Sequence, residues 1–153
     1  SNSSAASDVY KRQQLKATLD KNATDKVTWS SSNKKVATVD KNGVVTAVKK
    51  DTVTITAKTS GGKKATCKVT VKVPATKVKL NKTKATVAKG RTLTLKATMT
   101  PSSSTDKLTW TSSNKKVATV DKNGKVKALK KGTATITVKT ASGKKATCKI
   151  TVK

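Results

Sequence analysis

Apolar and polar residues alternate along most of this chain with a period of two. Residues 133–140 put Ala134, Ile136 and Val138 on one side and Thr on the other. Residues 146–152 do the same with Ala146, Cys148, Ile150 and Val152. Residues 92–99 read as one strand with Leu93, Leu95, Ala97 and Met99 on a common face. Leu108 and Trp110, residues 117–120 and residues 126–129 form shorter runs. A period of two means a strand with one face buried and the other wet. Between two of these runs lies Asp121-Lys-Asn-Gly124, and its equivalent Asp40-Lys-Asn-Gly43 occurs earlier. Asn42-Gly43 and Asn123-Gly124 predict tight hairpins, since Asn and Gly tolerate φ > 0. The expected fold class is all-β, an immunoglobulin-like two-sheet sandwich of about seven short strands per copy.

The pattern occurs twice. Residues 26–72 align without a gap to residues 107–153, and 36 of the 47 aligned positions are identical. A repeat of this length is a folding unit in its own right. The expected organisation is a tail at residues 1–13, a first repeat at 14–73 and a complete second repeat at 74–153. The second repeat opens with residues 74–90, which supply a first strand split in two. Residues 1–13 do not match that segment, and Asp8–Gln13 reads as foreign to the repeat. Repeat 1 is therefore expected to lack its first strand. It should be the less stable copy, or borrow a strand from its own tail or from another molecule.

Composition narrows the chemistry. Phe, His and Glu are absent, and the seven acidic residues are all Asp. With no His the commonest general base is missing, and most of the Asp fall in predicted turns, so no enzyme is expected. Cys67 and Cys148 hold equivalent positions, one per repeat, which leaves no disulfide within either repeat; both sit on an apolar strand face as small hydrophobes. The Asp-x-Asn-Gly turns invite a calcium reading, but no bidentate Glu follows at position 12, so no metal or cofactor is expected. Trp29 and Trp110 read as core residues, with exposed stacking platforms as the alternative. No apolar run reaches the roughly 20 residues of a membrane helix.

The net charge is +28, from 35 basic residues of which all but Arg12 and Arg91 are Lys. Solvated, edge-protecting Lys is the plainest reading. Salt-sensitive attraction to anionic polymers is the second. Dedicated nucleic-acid binding is disfavoured, because such readers use Arg forks and aromatic stacking.

Trp110-Thr-Ser-Ser-Asn114, Val117-Ala-Thr-Val-Asp121, Gly124-Lys-Val-Lys-Ala128 and Gly132-Thr-Ala-Thr-Ile-Thr137 together resemble the signature of the bacterial immunoglobulin-like group 2 domains. The first repeat carries the same blocks but has Asp51 where the pattern has Gly; Asp tolerates a left-handed turn better than most residues. The resemblance implies a non-enzymatic structural or adhesion module, a stalk or spacer, of a bacterial surface or secreted protein. It implies an extracellular, cell-surface or cell-wall location. Expected partners are an anionic wall polymer, a glycan or a host surface protein, and the alternative function is Lys-mediated binding of such polymers.

Overall fold

A computed structural model describes residues 4–9, 12–14, 17 and 24–153, the first two stretches as strand backbone. The chain divides into two compact units, 1–73 and 74–153. All regular elements among the described residues are strands. Unit 1 holds β1 (Ser4–Val9), β2 (Arg12–Gln14), β3 (Val27–Ser31), β4 (Ala37–Val39), β5 (Val44–Ala47), β6 (Asp51–Thr59) and β7 (Lys64–Val71). Unit 2 holds β8 (Lys77–Leu80), β9 (Lys84–Val87), β10 (Thr92–Thr94), β11 (Ala97–Thr100), β12 (Leu108–Ser112), β13 (Ala118–Val120), β14 (Lys125–Ala128), β15 (Gly132–Thr140) and β16 (Lys145–Val152).

In unit 2 one layer is the four-stranded sheet β12-β15-β16-β9. The facing layer consists of β10-β14-β13 and the pair β11-β8. The alternation in each strand sends Val126, Ile136, Val138, Cys148, Ile150 and Val152 inward, all at most 1% exposed. Val, Ile and Thr suit such half-buried pleats because their branched Cβ packs well there and loses freedom in a helix. Unit 1 repeats the plan with a four-stranded sheet β1-β7-β6-β3 and a three-stranded sheet β2-β5-β4. Both units are immunoglobulin-like two-sheet sandwiches.

Residues 92–99 are expected as one strand, but the structure bends them. β10 and β11 are separated by Leu95 and Lys96: Leu95 N still bonds Gly124 O in the β10–β14 register, whereas Lys96 N leaves the ladder for Asn81 Oδ1, each at 2.9 Å. Leu95 stays on the core side at 1% exposure, so the bend preserves the period.

The first strand of unit 2 is split as its sequence indicates. β8 pairs antiparallel with β11, and β9 then pairs parallel with the final strand β16, Lys84 opposite Lys149 and Val87 opposite Val152. Lys149 N donates to Thr83 O at 2.9 Å and Lys153 N to Val87 O at 3.1 Å.

Residues 1–13 are not a bare foreign tail; they supply the strand that repeat 1 is expected to borrow as one alternative. β1 pairs parallel with β7, with Ala6 opposite Lys68, the place that Lys84 holds beside Lys149 in unit 2. β2 pairs with β5, with Arg12 opposite Thr46 as Thr92 lies opposite Lys127. Ladder bonds come from the backbone, which any non-proline segment supplies, so Ser-Ala-Ala-Ser-Asp-Val takes a position that Lys-Ala-Thr-Val takes elsewhere. Only the β8 half of the first strand has no counterpart among the described residues. Residues 1–3, 10 and 11 of the tail lie outside them.

At the position where repeat 1 departs from the pattern, Gly132 has φ 146°. Asp51 does not follow it into the positive region, which no described non-glycine residue enters. It starts β6 opposite Val71, and its Oδ1 accepts from Thr52 N at 2.8 Å.

Candidate functional site

Trp29 and Trp110 stand in β3 and β12, one per unit. Each is partly buried and packs against the core cluster of its own unit. They lie at the rim of the cores, whose fully buried members are aliphatic residues, Cys148 and Thr140. The Trp110 ring covers the second hairpin. A Cβ on Gly124 would lie 2.9 Å from Trp110 Cζ2 and would also collide with the Leu95 carbonyl oxygen. The turn therefore needs Gly124 for close approach as well as for its φ of 81°.

The hairpins form at Asn-Gly as expected, but Asn does not use its tolerance of positive φ. Gly43 and Gly124 have positive φ, whereas Asn42 and Asn123 do not. Asp121–Gly124 form a turn closed by Gly124 N to Asp121 O at 3.1 Å, whose fourth residue is the left-handed Gly. That is the three-residue hairpin with a bulge. Its organiser is the Asp. Asp121 Oδ1 accepts from Asn123 N at 2.8 Å and Lys125 N at 2.9 Å, and Asp40 Oδ1 accepts from Asn42 N and Val44 N at the same distances. The Lys125 amide, then the Asn123 amide, hold the Asp121 carboxyl below the usual carboxylate range. Local backbone amides thus engage one oxygen of each carboxylate. Among the described residues no three His, Cys, Asp or Glu side chains are grouped to hold a metal.

The two cysteines are free and unlike. Cys148 is fully buried, while Cys67, expected to be buried with it, is partly exposed. In unit 2, β8 packs against β16 and brings in Val78 and Leu80, at 6% and 5% exposure. Among the described residues unit 1 has no counterpart of β8, and Cys67 is the less covered thiol. Burial pushes both thiols up, with Lys82 pulling Cys148 partly back.

One polar hub was not singled out from sequence. Asp106 Oδ2 accepts from Ala75 N and Ser142 N, both at 3.1 Å, and Ser142 Oγ donates to Ala75 O at 2.8 Å. These bonds tie the chain's entry into unit 2 to the β15–β16 hairpin. The Ser142 hydroxyl, ahead of the Ala75 and Ser142 amides, holds the Asp106 carboxyl low against the raising effect of desolvation. In unit 1 Asp25 Oδ2 accepts from Gly61 N at 3.2 Å. The recurrence of Asp just before the Trp strand in both repeats was the available signal.

A shallow cleft of about 250 Å³ lies beside Trp110, lined by Thr111, Ser112, Lys115, Thr119 and Val120. Another, of about 380 Å³, is lined by Thr92, Thr119, Val120, Asp121, Lys125 and Lys127. The only carboxylate in either is Asp121, already engaged in its turn.

The outer face of sheet β12-β15-β16-β9 is chemically uniform. Its outward positions are Thr109 and Thr111, Thr133, Thr135, Thr137 and Lys139, Lys145, Thr147, Lys149 and Thr151, and Lys84 and Thr86. Every one is Thr or Lys. The register sets Lys139 opposite Lys145 and Lys149 opposite Lys84. Unit 1 sets Lys58 opposite Lys64 in the same way.

This chain is similar to parts of longer proteins. An uncharacterized protein of Clostridium acetobutylicum is 42% identical over 137 residues, covering 86% of this chain and 14% of that protein. The kappa-carrageenase of Pseudoalteromonas carrageenovora is 51% identical over 69 residues, covering 44% of this chain and 17% of the enzyme. This chain therefore spans a small fraction of either relative. In fold alone it is similar to the N-terminal four Ig domains of Dscam1, with a TM-score of 0.54 at 14% identity, covering 99% of this chain and 43% of that one. The bacterial Ig-like domain (group 2) model matches residues 1–69 and 74–150, and this chain belongs to that family as two tandem copies.

Proposed function

We propose that this chain is a non-enzymatic, load-bearing spacer within a larger extracellular surface or secreted bacterial protein. One observation carries the reading. In unit 2 the strand β9 near the chain's entry runs parallel to the exit strand β16 and is bonded to it, and β1 and β7 repeat the arrangement in unit 1. Tension along the chain pulls the start of one such strand against the end of the other. The strands are loaded in shear, and their ladder bonds share the force instead of opening one at a time.

The family match, the tandem repetition and the small share of each relative that the chain occupies support a modular role. The relative named kappa-carrageenase acts, by its name, on carrageenan.

Single-molecule pulling tests the reading. Handles at Pro74 and Lys153 load β9 and β16 in shear. Handles at Lys131 and Lys153 peel β15 from β16 as a zipper. Forced unfolding reports the barrier crossed under load. The expected result is a clearly higher rupture force for the first geometry. Equal forces in the two geometries would remove the basis for a load-bearing role.

A further inference from the structure

We propose that the outer face of sheet β12-β15-β16-β9 binds a linear acidic polysaccharide. The proposal builds on the spacer reading only in requiring that the face meet its surroundings.

The observation is the placement of like charges. Lys139 and Lys145 are direct cross-strand partners, as are Lys149 and Lys84. Neighbouring strands lie about 4.8 Å apart, and like charges directly opposite one another destabilise a sheet. All four Lys are exposed and no Asp stands among the outward positions of these strands. The usual purpose of strand Lys is to blunt a free edge. That purpose does not cover Lys139, Lys145 and Lys149, because β15 and β16 are the two inner strands of this sheet. The unfavourable pairing also recurs. Unit 1 sets Lys58 opposite Lys64, again on its inner strands β6 and β7. A fixed negative group lying between the two Lys of a pair converts the repulsion into two attractions.

The remaining outward positions identify the partner. Thr109, Thr111, Thr133, Thr135, Thr137, Thr147, Thr151 and Thr86 surround the Lys pairs with hydroxyls that both donate and accept. A polymer that carries acidic groups along a hydroxyl-rich chain answers both features. A nucleic acid is disfavoured. Single strands are held by bases stacking on aromatic rings, and this face has none. A duplex would follow a groove, whereas this is the open side of a sheet. β-Propensity alone explains Thr in strands, so the Lys pairs are the part of the pattern that needs a ligand.

The test uses the full chain with heparin and polygalacturonate as probes, sulfated and uronate respectively, and with polyphosphate and single-stranded DNA as non-saccharide polyanions. One variant carries K84Q, K139Q, K145Q and K149Q. A control carries K115Q, K116Q, K122Q and K130Q and so has the same net charge. A third replaces Thr86, Thr109 and Thr147 with Val, keeping the branched shape and removing the hydroxyls. The face variant should bind at least one polysaccharide about tenfold more weakly and with a shallower salt dependence, while the control loses less than about threefold. The Val variant should weaken polysaccharide binding and leave polyphosphate binding unchanged. Circular dichroism establishes that each variant is folded, and the Gln substitutions relieve repulsion instead of adding strain. Equal losses in the two Lys variants would reduce the effect to net charge and overturn the site. So would failure of wild type to retain either polysaccharide. Binding of DNA or polyphosphate as tight as that of the polysaccharides, with no effect of the Val changes, would overturn the partner. None of these outcomes alters the pulling result, so the spacer reading stands or falls separately.

Discussion

Cys67 and Cys148 occupy one position of a repeated sequence and have different surroundings. The difference lies in what packs over them, since each stands on the inward face of the last strand of its unit. Val78 and Leu80 of β8 share the core cluster of Cys148, and no described strand of unit 1 corresponds to β8. A thiol reacts as thiolate when a reagent can reach it. Burial raises both thiols, which slows each relative to a free cysteine at neutral pH. Access then separates them. In the native protein one equivalent of an aromatic disulfide reagent should react about tenfold or more faster than the second, with the rate rising toward alkaline pH. C67S should remove the fast phase, and Cys148 should react only as unit 2 opens. A fast phase surviving in C67S would show that Cys148 is the accessible thiol.

Asp106 acts at the scale of elements because it fastens three of them: the entry segment at Ala75, its own loop, and the β15–β16 hairpin at Ser142. Its carboxyl is held low by partners present only in the folded state. A depressed folded-state value means stability that is present above the unfolded carboxylate range and lost as pH falls through the folded value. D106N should lower the unit 2 melting midpoint by about a few degrees at neutral pH. The gap to wild type should close as pH drops below about 4. Asp121 titrates with the same sign in both proteins and cancels in the difference; a gap unchanged by acid would mean that Asp106 works through packing alone. This hub also marks the limit of what sequence conveys. The period of two made the strands of unit 2 legible, because one face of each must be apolar. The hairpins were legible at Asn-Gly, but the backbone assigned φ > 0 to Gly alone and left the organising work to Asp40 and Asp121. β1 was legible only as the alternative that repeat 1 borrows a strand from its own tail; its register was not, because a parallel edge strand is specified by backbone bonds, and Ser4–Val9 shares with Lys84–Val87 little beyond the equivalent Val9 and Val87. The Lys pairs were hidden for a related reason. Lys spread evenly along a chain becomes pairwise only through cross-strand register, which composition does not contain.

At the scale of the whole molecule, a closely repeated sequence packs differently in the two units among the described residues. Where both copies are described, Ala128 and Cys148 are buried in the core cluster of unit 2, whereas their counterparts Ala47 and Cys67 are only partly buried. Part of the difference is β8, whose Val78 and Leu80 are fixed in place by β11. Each fully buried aliphatic side chain contributes about 1.5–3 kcal/mol. In a unit of this size about 2 kcal/mol corresponds to a melting shift of about 10 °C, so the two units should unfold in separate steps with unit 1 first. Each unit holds one Trp, packed against its own core, which makes the assignment direct. In W110F the fluorescence of Trp29 follows unit 1, and in W29F that of Trp110 follows unit 2. The Trp29 transition should fall at least about 10 °C below the Trp110 transition, and calorimetry of the wild-type chain should show two components at those temperatures. A single coincident transition in both variants would mean either that unit 1 is as stable as unit 2 or that the units unfold as one. Unit 2 expressed alone as residues 74–153 separates these cases, because an unchanged midpoint means equal stability and a lowered one means coupling. Either result would overturn the view that the β8 strand sets the difference between the two copies.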